Sequence, residues 1–370
     1  MTEGTGTWWI FCRVVDNFGD AGVSWRLARQ LALCRTGSVH LVVDHWATLA
    51  RLEPALGQRP PKGLATIAHG VRVWPWEVIE ANPQWLCAAS PRVLISAFGC
   101  ELPTAVASRL GQSISAPLWL LLDYLSAESW VEGCHGRPSP VPGYPGPRYF
   151  YFPGFGQHTG GLLREPGLLE ARDAWQRKHV PAHPERAQRW LTLWAYPDAP
   201  WLALSAALRH DAEDWGWNLF EGVELTHSVL AAGLDECWHQ VLPFQLQPDY
   251  DRRLWEADLN LVRGEDSFVR AQWAGKPFLW HIYPQQDGSH WRKLEAFLAC
   301  YLASLEEPLA TAIRALFMAW NGAGDLPAAW QAVRDQWGVW EIHARRWSFS
   351  LAQQADLVTQ LVDFVENTLK

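Results

Sequence analysis

Along the first third of the chain, short uninterrupted apolar runs alternate with stretches of helical spacing. Residues 8–15 read as an internal strand. Residues 22–34 then carry Val23, Leu27, Leu31 and Leu33 at helical intervals. Further apolar runs at 39–43, 93–98 and 118–122 are separated by helix-compatible segments. Strands without polar interruption, separated by helices, imply a parallel sheet covered on both faces. The pattern then breaks. Between residues 133 and 161 the chain holds 8 Gly and 6 Pro, which predicts an irregular linker or binding loop.

The alternation restarts after about residue 185. Strands are expected at 191–195, 217–223, 239–244, 259–262 and 278–282. Asp198 is expected to cap a helix through Leu208 with Pro200 in its first turn, and a further helix is expected over 267–274. From Gly288 onward the chain reads as mostly helical. Leu351, Leu357, Leu361, Val362, Phe364 and Val365 form one apolar stripe on a last helix. The fold class is therefore α/β, with two halves of the same architecture. Two such halves facing each other leave a cleft at the carboxyl ends of their strands, where α/β sheets bind ligands.

A length of 370 residues suits two domains, and 49% hydrophobic residues supply packed cores. The balance of 31 basic and 39 acidic residues, net −8, gives no electrostatic case for wrapping nucleic acid or coating an anionic membrane. The longest apolar runs fall far short of the roughly 20 residues that a spanning helix needs, and the first residues lack the features of a signal peptide. Seven scattered cysteines without a C-x-x-C pair argue against a zinc site or a disulfide framework and for reduced thiols in the cytoplasm. Most of the 25 tryptophans are expected in cores, with some free to line a binding surface.

Two segments carry candidate chemistry. Val14-Val-Asp16-Asn-Phe-Gly19-Asp20-Ala-Gly22 lies where the first strand hands over to the first helix. Glycines 19 and 22 suit tight turning. Two carboxylates four residues apart on a loop point to a cation or a proton to be handled. The alternative is that Asp20 caps the helix and Asp16 makes an Asx turn. G-x-G-x-x-G is absent, which argues against a nicotinamide enzyme. The second segment, Asp258-Leu-Asn260-Leu-Val262-Arg263-Gly264-Glu265-Asp266-Ser267-Phe268, turns from a buried strand into a helix. The N–H groups of a helix start, with Arg263 at the rim, suit a phosphate. Glu265 and Asp266 suit sugar hydroxyls, so a nucleotide sugar meets both demands. A capping box with helix-favourable acids is the alternative. Upstream, Phe244 can stack on a nucleobase and Gln247 can bond its edge, although either also suits packing or surface.

These segments resemble the EarP family of protein-arginine rhamnosyltransferases, which modify bacterial elongation factor P. The matching blocks are Phe11 to Asp20, Gly22 to Leu31, Asp123-Tyr-Leu-Ser-Ala-Glu128, Phe152-Pro-Gly-Phe155, Thr159 to Glu165, Val262 to Pro277 and Trp280-His-Ile-Tyr-Pro-Gln285. The resemblance implies a GT-B glycosyltransferase with two Rossmann-like domains facing across a cleft. The acceptor-side domain would span residues 1–165, with a helix at about 348–370 packing back on it, and the nucleotide-sugar domain 175–345. The implied donor is dTDP-β-L-rhamnose and the implied acceptor an arginine of elongation factor P, activated for translation of polyproline stretches. Transfer would be inverting, with no metal and no cofactor. By matching motif, Asp20 is the implied base, Asp16 its acidic companion and Glu265 an essential acid. Arg263, Asp266 and Ser267 would hold the donor's diphosphate and sugar. Phe244 and Gln247 would hold thymine, with Tyr250 closing the pocket and Tyr196 and Tyr283 on the donor side. Tryptophans substituted around the motifs, and a region beyond His290 that matches only in general character, depart from the family pattern. A GT-B enzyme using another nucleotide sugar or a small-molecule acceptor is the alternative.

Overall fold

The computed structural model describes residues 6–15, 17–34, 37–61, 63–112, 116–178, 189–233 and 238–370, with the side chains of Asn17 and Cys87 left out. The chain divides into two compact units, Met1–Glu165 with Gln354–Lys370, and Pro166–Gln353.

The first unit is built on strands β1 (Thr7–Cys12), β2 (Val39–Val43), β3 (Thr66–Ala68), β4 (Val71–Pro75), β5 (Pro91–Ala97), β6 (Leu118–Leu122), β7 (Pro138–Pro140) and β8 (Pro147–Tyr151). They lie in the order β3-β4-β2-β1-β5-β6-β8-β7. The pairs β1–β2, β1–β5, β2–β4, β5–β6 and β6–β8 are parallel, and the edge strands β3 and β7 are antiparallel. Successive side chains of a strand point to opposite faces. Accordingly, Trp8, Ile10 and Cys12 pack with Trp25, Leu27 and Leu31 of the helix Asn17–Leu33 and with Leu361 and Val365 of the helix Leu357–Thr368. Trp9 and Phe11 pack with Trp76, Ile79 and Trp119 on the other face. Burial on both sides is why β1 needs an unbroken apolar run.

Three expectations change here. The Gly/Pro-rich stretch is not wholly irregular, because it contributes β7 and β8. Its prolines are tolerated since Pro138 and Pro140 sit on the sheet edge and Pro147 starts its strand. The strand β4 was hidden because Arg72 interrupts its apolar run. The stripe from Leu351 to Val365 spans two helices, not one. Leu351 ends the helix Trp337–Ala352 of the second unit, and Asp356 starts the next by accepting the N–H groups of Val358 (3.0 Å) and Thr359 (3.2 Å). The returning helix is therefore Leu357–Thr368, shorter than 348–370.

In the second unit, β9 (Arg189–Leu193), β10 (Trp215–Phe220), β11 (His239–Leu242), β12 (Leu259–Arg263) and β13 (Phe278–His281) form a wholly parallel sheet in the order β11-β10-β9-β12-β13. Asp198 caps nothing. The helix starts at Trp201 with Pro200 at its N-cap, and the Asp198 carboxylate lies 3.9 Å from His281 Nε2. The tail of the unit is helical, as its periodicity predicts. Most tryptophans are buried, Trp8, Trp217, Trp320 and Trp340 completely, while Trp130 and Trp238 are exposed. Among the described residues no helix is long and apolar enough to cross a membrane.

Each sheet reverses its direction of growth once, between β1 and β5 in the first unit and between β9 and β12 in the second. In open α/β sheets the crevice outside the strand ends at such a point binds ligands. Both chemistry-bearing segments sit there, each in its own unit.

Candidate active site

In the first unit the chain leaves β1 at Cys12 and enters the helix Asn17–Leu33 within a few residues. That helix begins earlier than its apolar spacing indicates and takes in Gly19, Asp20 and Gly22. Asp20 is therefore in the first helical turn, not on a loop, and the glycines do not form the expected turn. The Asp20 side chain is almost wholly buried and folds back so that Oδ2 accepts the Val15 N–H at 2.8 Å. Asp44, just beyond β2, accepts the Val14 N–H at 3.0 Å. Two carboxylates thus tie down the backbone between β1 and its helix. Burial, and then the Asp20 charge, pushes the Cys12 thiol well above its ordinary range, so it remains an S–H and points to the Asp20 carbonyl at 3.6 Å. Asp16 lies outside the described residues.

Two strands away, beyond β6, Asp123 accepts the Tyr124 N–H at 2.7 Å, and Ser126 accepts the Glu128 N–H at 3.1 Å. This segment of the resemblance is thus a turn held by its own side chains, at the same carboxyl edge of the sheet.

In the second unit Arg263 closes β12, and Gly264 turns the chain at φ 61°, a left-handed value that suits glycine. The Trp280 indole N–H donates to the Gly264 carbonyl at 2.8 Å, and the Ser267 hydroxyl donates to the Arg263 carbonyl. The turn is pinned from both sides. The helix Asp266–Ala274 follows; its N-cap Glu265 makes no side-chain capping bond, so there is no capping box, while Asp266 is the helix-favourable acid expected in the first turn. Glu265 and Asp266 are half-buried at this helix start.

Arg263 donates from Nη1 to the Ala195 carbonyl at 3.3 Å, and its guanidinium lies 5.0 Å from the Trp194 ring and 4.9 Å from the Tyr196 ring. Tyr196 meets the exposed Tyr283 at 5.5 Å between centroids. Tyr250 packs against Trp194 and Phe220, and its hydroxyl is beside Ser267. Burial pushes that phenol far above its ordinary pKa, and the charges of Asp266 and Asp251 add to the effect. These contacts gather Arg263, Ser267, Tyr196, Tyr283 and Tyr250, with Glu265 and Asp266 at the adjoining helix start. Gln247 opens the helix Gln247–Glu256, where its amide donates to Asp251 at 2.9 Å, and Asp251 forms a buried ion pair with Arg270. Phe244 is half-buried just ahead of that helix.

Sequence reasoning missed Trp194, Asp251 and His281. Trp194 was indistinguishable from core at the end of an apolar run. Asp251 and Arg270 come together from two helices, and only their wide spacing was visible in the sequence. His281 is buried at the end of β13 and accepts the Tyr196 N–H on Nδ1 at 3.2 Å. Burial lowers its pKa to about 4, Asp198 opposing and Arg263 assisting. Among the described residues no group of three His, Cys, Asp or Glu could hold a metal ion.

The sequence pattern of the family described as Elongation-Factor P (EF-P) rhamnosyltransferase EarP matches residues 8–366. A protein-arginine rhamnosyltransferase of Pseudomonas putida is 43% identical over 98% of this chain and 99% of its own length. Another from Pseudomonas aeruginosa is 41% identical over 98% of this chain and 100% of its own length. Among solved structures, the one giving the structural basis for EarP-mediated arginine glycosylation of translation elongation factor EF-P superposes with a TM-score of 0.61 at 32% identity, covering 98% of this chain and 99% of that one. A UGT transferase from Siraitia grosvenorii in complex with UDP shares the fold alone, with a TM-score of 0.52 at 12% identity, covering 98% of this chain and 100% of that one. These likenesses and the two sheets, parallel but for the edge strands β3 and β7, give a GT-B glycosyltransferase built from two Rossmann-like domains. The chain belongs to the EarP family of elongation factor P rhamnosyltransferases.

Proposed function

We propose that the protein transfers L-rhamnose from dTDP-β-L-rhamnose to an arginine of elongation factor P, with inversion at the anomeric carbon and without a metal. One observation carries the reading. A guanidinium, a pinned glycine turn and the positive end of a helix converge at the switch point of the second sheet, as an anionic diphosphate requires. Relatives named as protein-arginine rhamnosyltransferases over nearly the whole chain support the same acceptor chemistry.

In this reaction an arginine nitrogen attacks the anomeric carbon as the bond to the diphosphate oxygen breaks. The leaving dTDP takes the electron pair, and the arginine N–H proton passes to Asp20. Arginine is a weak nucleophile because its charge is delocalised and its pKa lies above about 12. Asp20 therefore acts by hydrogen-bonding one guanidinium nitrogen, drawing charge from it, and accepting the proton as the new bond forms. Asp16 assists in holding the guanidinium in line. Arg263 and the helix start, with Ser267, stabilise the charge that grows on the departing diphosphate. Glu265 and Asp266 face the sugar, where negative groups favour an oxocarbenium-like transition state. Phe244 and Gln247 hold thymine, Tyr250 closes that pocket, and Tyr196 and Tyr283 flank the donor. Positive charge supplied by Arg263 and backbone amides does the work of a cation.

The test is mass spectrometry of elongation factor P incubated with the protein and dTDP-β-L-rhamnose, with other nucleotide sugars in parallel. One deoxyhexosyl group on a single arginine is expected from the rhamnose donor. Transfer only from a different nucleotide sugar, or none, refutes the proposal.

A further inference from the structure

We propose that His281 is a positioning residue of the donor site: it grips one side of a peptide whose other side is gripped by Arg263, and so fixes the attitude of Arg263 and Tyr196. This rests on the reading in which the second unit binds the donor diphosphate.

The two bonds share a single peptide group. Arg263 Nη1 donates to the Ala195 carbonyl at 3.3 Å, and His281 Nδ1 accepts the Tyr196 N–H at 3.2 Å. A planar trans peptide points its C=O and N–H in opposite directions, so holding both ends fixes the plane. The register makes this possible, because Arg263 and His281 are Cα partners at the last positions of β12 and β13. From there His281 reaches past β12 to the segment that follows β9. The fixed plane carries Tyr196, which stacks on the Arg263 guanidinium and contacts the His281 ring edge-on at 5.4 Å. Guanidinium and imidazole thus hold the same peptide from its two ends, so moving either one moves the peptide and Tyr196 with it.

The tautomer follows. Since Nδ1 accepts, the neutral ring carries its proton on Nε2, towards Asp198 at 3.9 Å. Trp320 packs edge-on at 6.0 Å, and the imidazole is 4% exposed. A hydrophobic residue of similar size would fill the space but could not accept the Tyr196 N–H. The arrangement leaves the remaining donors of Arg263 for an anion, held in a direction that does not have to be found on binding.

Three variants separate positioning from packing. His281→Asn keeps an acceptor near the Nδ1 position, His281→Gln reaches instead towards the Nε2 position, and His281→Ala keeps neither. The readouts are hydrogen exchange of the Tyr196 amide in the ligand-free protein, dTDP affinity by calorimetry, and the melting temperature. In the Ala and Gln variants the Tyr196 amide is expected to exchange faster and dTDP affinity to fall about three- to tenfold, the scale of one hydrogen bond. Asn is expected to restore both. If Ala does not fold, the Asn and Gln pair carries the comparison. Unchanged exchange at Tyr196, unchanged dTDP affinity, or equal losses in Asn and Gln overturn the proposal. A wild-type protein that binds no dTDP refutes the donor reading and the positioning role with it, whereas exchange reports separately whether the peptide is held.

Discussion

Asp20→Asn separates the chemistry of this carboxylate from its structural bond. The carboxylate accepts the Val15 N–H through Oδ2 at 2.8 Å and is 3% exposed. An asparagine can accept the same N–H with its one oxygen, so that bond survives. What is lost is a charge near the start of the helix Asn17–Leu33, worth up to about 2 kcal/mol in a partly buried site. At the other oxygen's position the variant carries an NH2 group, which faces a guanidinium donor to donor and cannot take a proton. If Asp20 is the base, turnover is expected to fall by roughly 10²–10⁴-fold. Asp20→Ala removes the Val15 partner as well, and its stability loss should be larger by about 1–3 kcal/mol. Intact-mass time courses of elongation factor P give the rate, calorimetry the dTDP affinity, and urea melts the stability. The expected result is a folded Asn variant that binds dTDP normally and transfers almost no rhamnose. Turnover close to wild type removes Asp20 from the proton transfer, and dTDP binding lost along with turnover refutes the division of roles between Asp20 and the donor residues.

Phe244→Ala is expected to weaken dTDP binding by roughly 1–3 kcal/mol, the scale of one base–aromatic stack, and an unchanged calorimetric affinity makes Phe244 a packing residue. Transfer is expected to continue at full rate after exhaustive chelation, and a loss restored by a divalent cation overturns the metal-independent reading. Stability should fall as pH drops from about 6.5 to about 4, because burial holds both His40 and His281 near 4. In that window the unfolded chain binds protons that the folded chain refuses, at up to about 3 kcal/mol for each histidine. Urea melts at successive pH values measure this, and a flat profile across the window contradicts it.

The parallel strands were legible because two-sided burial leaves a simple mark: β1 and β6 admit almost no exposed side chain, so their sequences are continuous apolar runs. Elements with one exposed face or at an edge were not. The strand β4 carries Arg72 on its open side, and β7 is paired only along one edge, so neither gives that signal. The start of the helix after β1 was misjudged for a related reason. Its first two turns hold Gly19, Asp20 and Gly22, and Asp20 folds back to accept the Val15 N–H, a contact that residue spacing does not encode.

The same distinction governs the site. Residues on one continuous strand–turn–helix segment, Arg263 to Ser267, could be read together because the chemistry follows chain order. Residues that complete the site arrive by sheet register. Trp194 reaches Arg263 because β9 and β12 are neighbours, and His281 reaches Tyr196 because β13 ends level with β12. Neither adjacency exists in the sequence, and both are fixed by the strand order alone. The histidine is the more informative, because a polar ring 4% exposed incurs a desolvation cost unless its nitrogens are used. One of them accepts a backbone N–H beside the only guanidinium among the described residues that both closes β12 and stacks on Tyr196. Burial of that ring has a structural consequence at the switch point: it keeps the imidazole neutral, and only the neutral ring can accept the N–H that orients Tyr196.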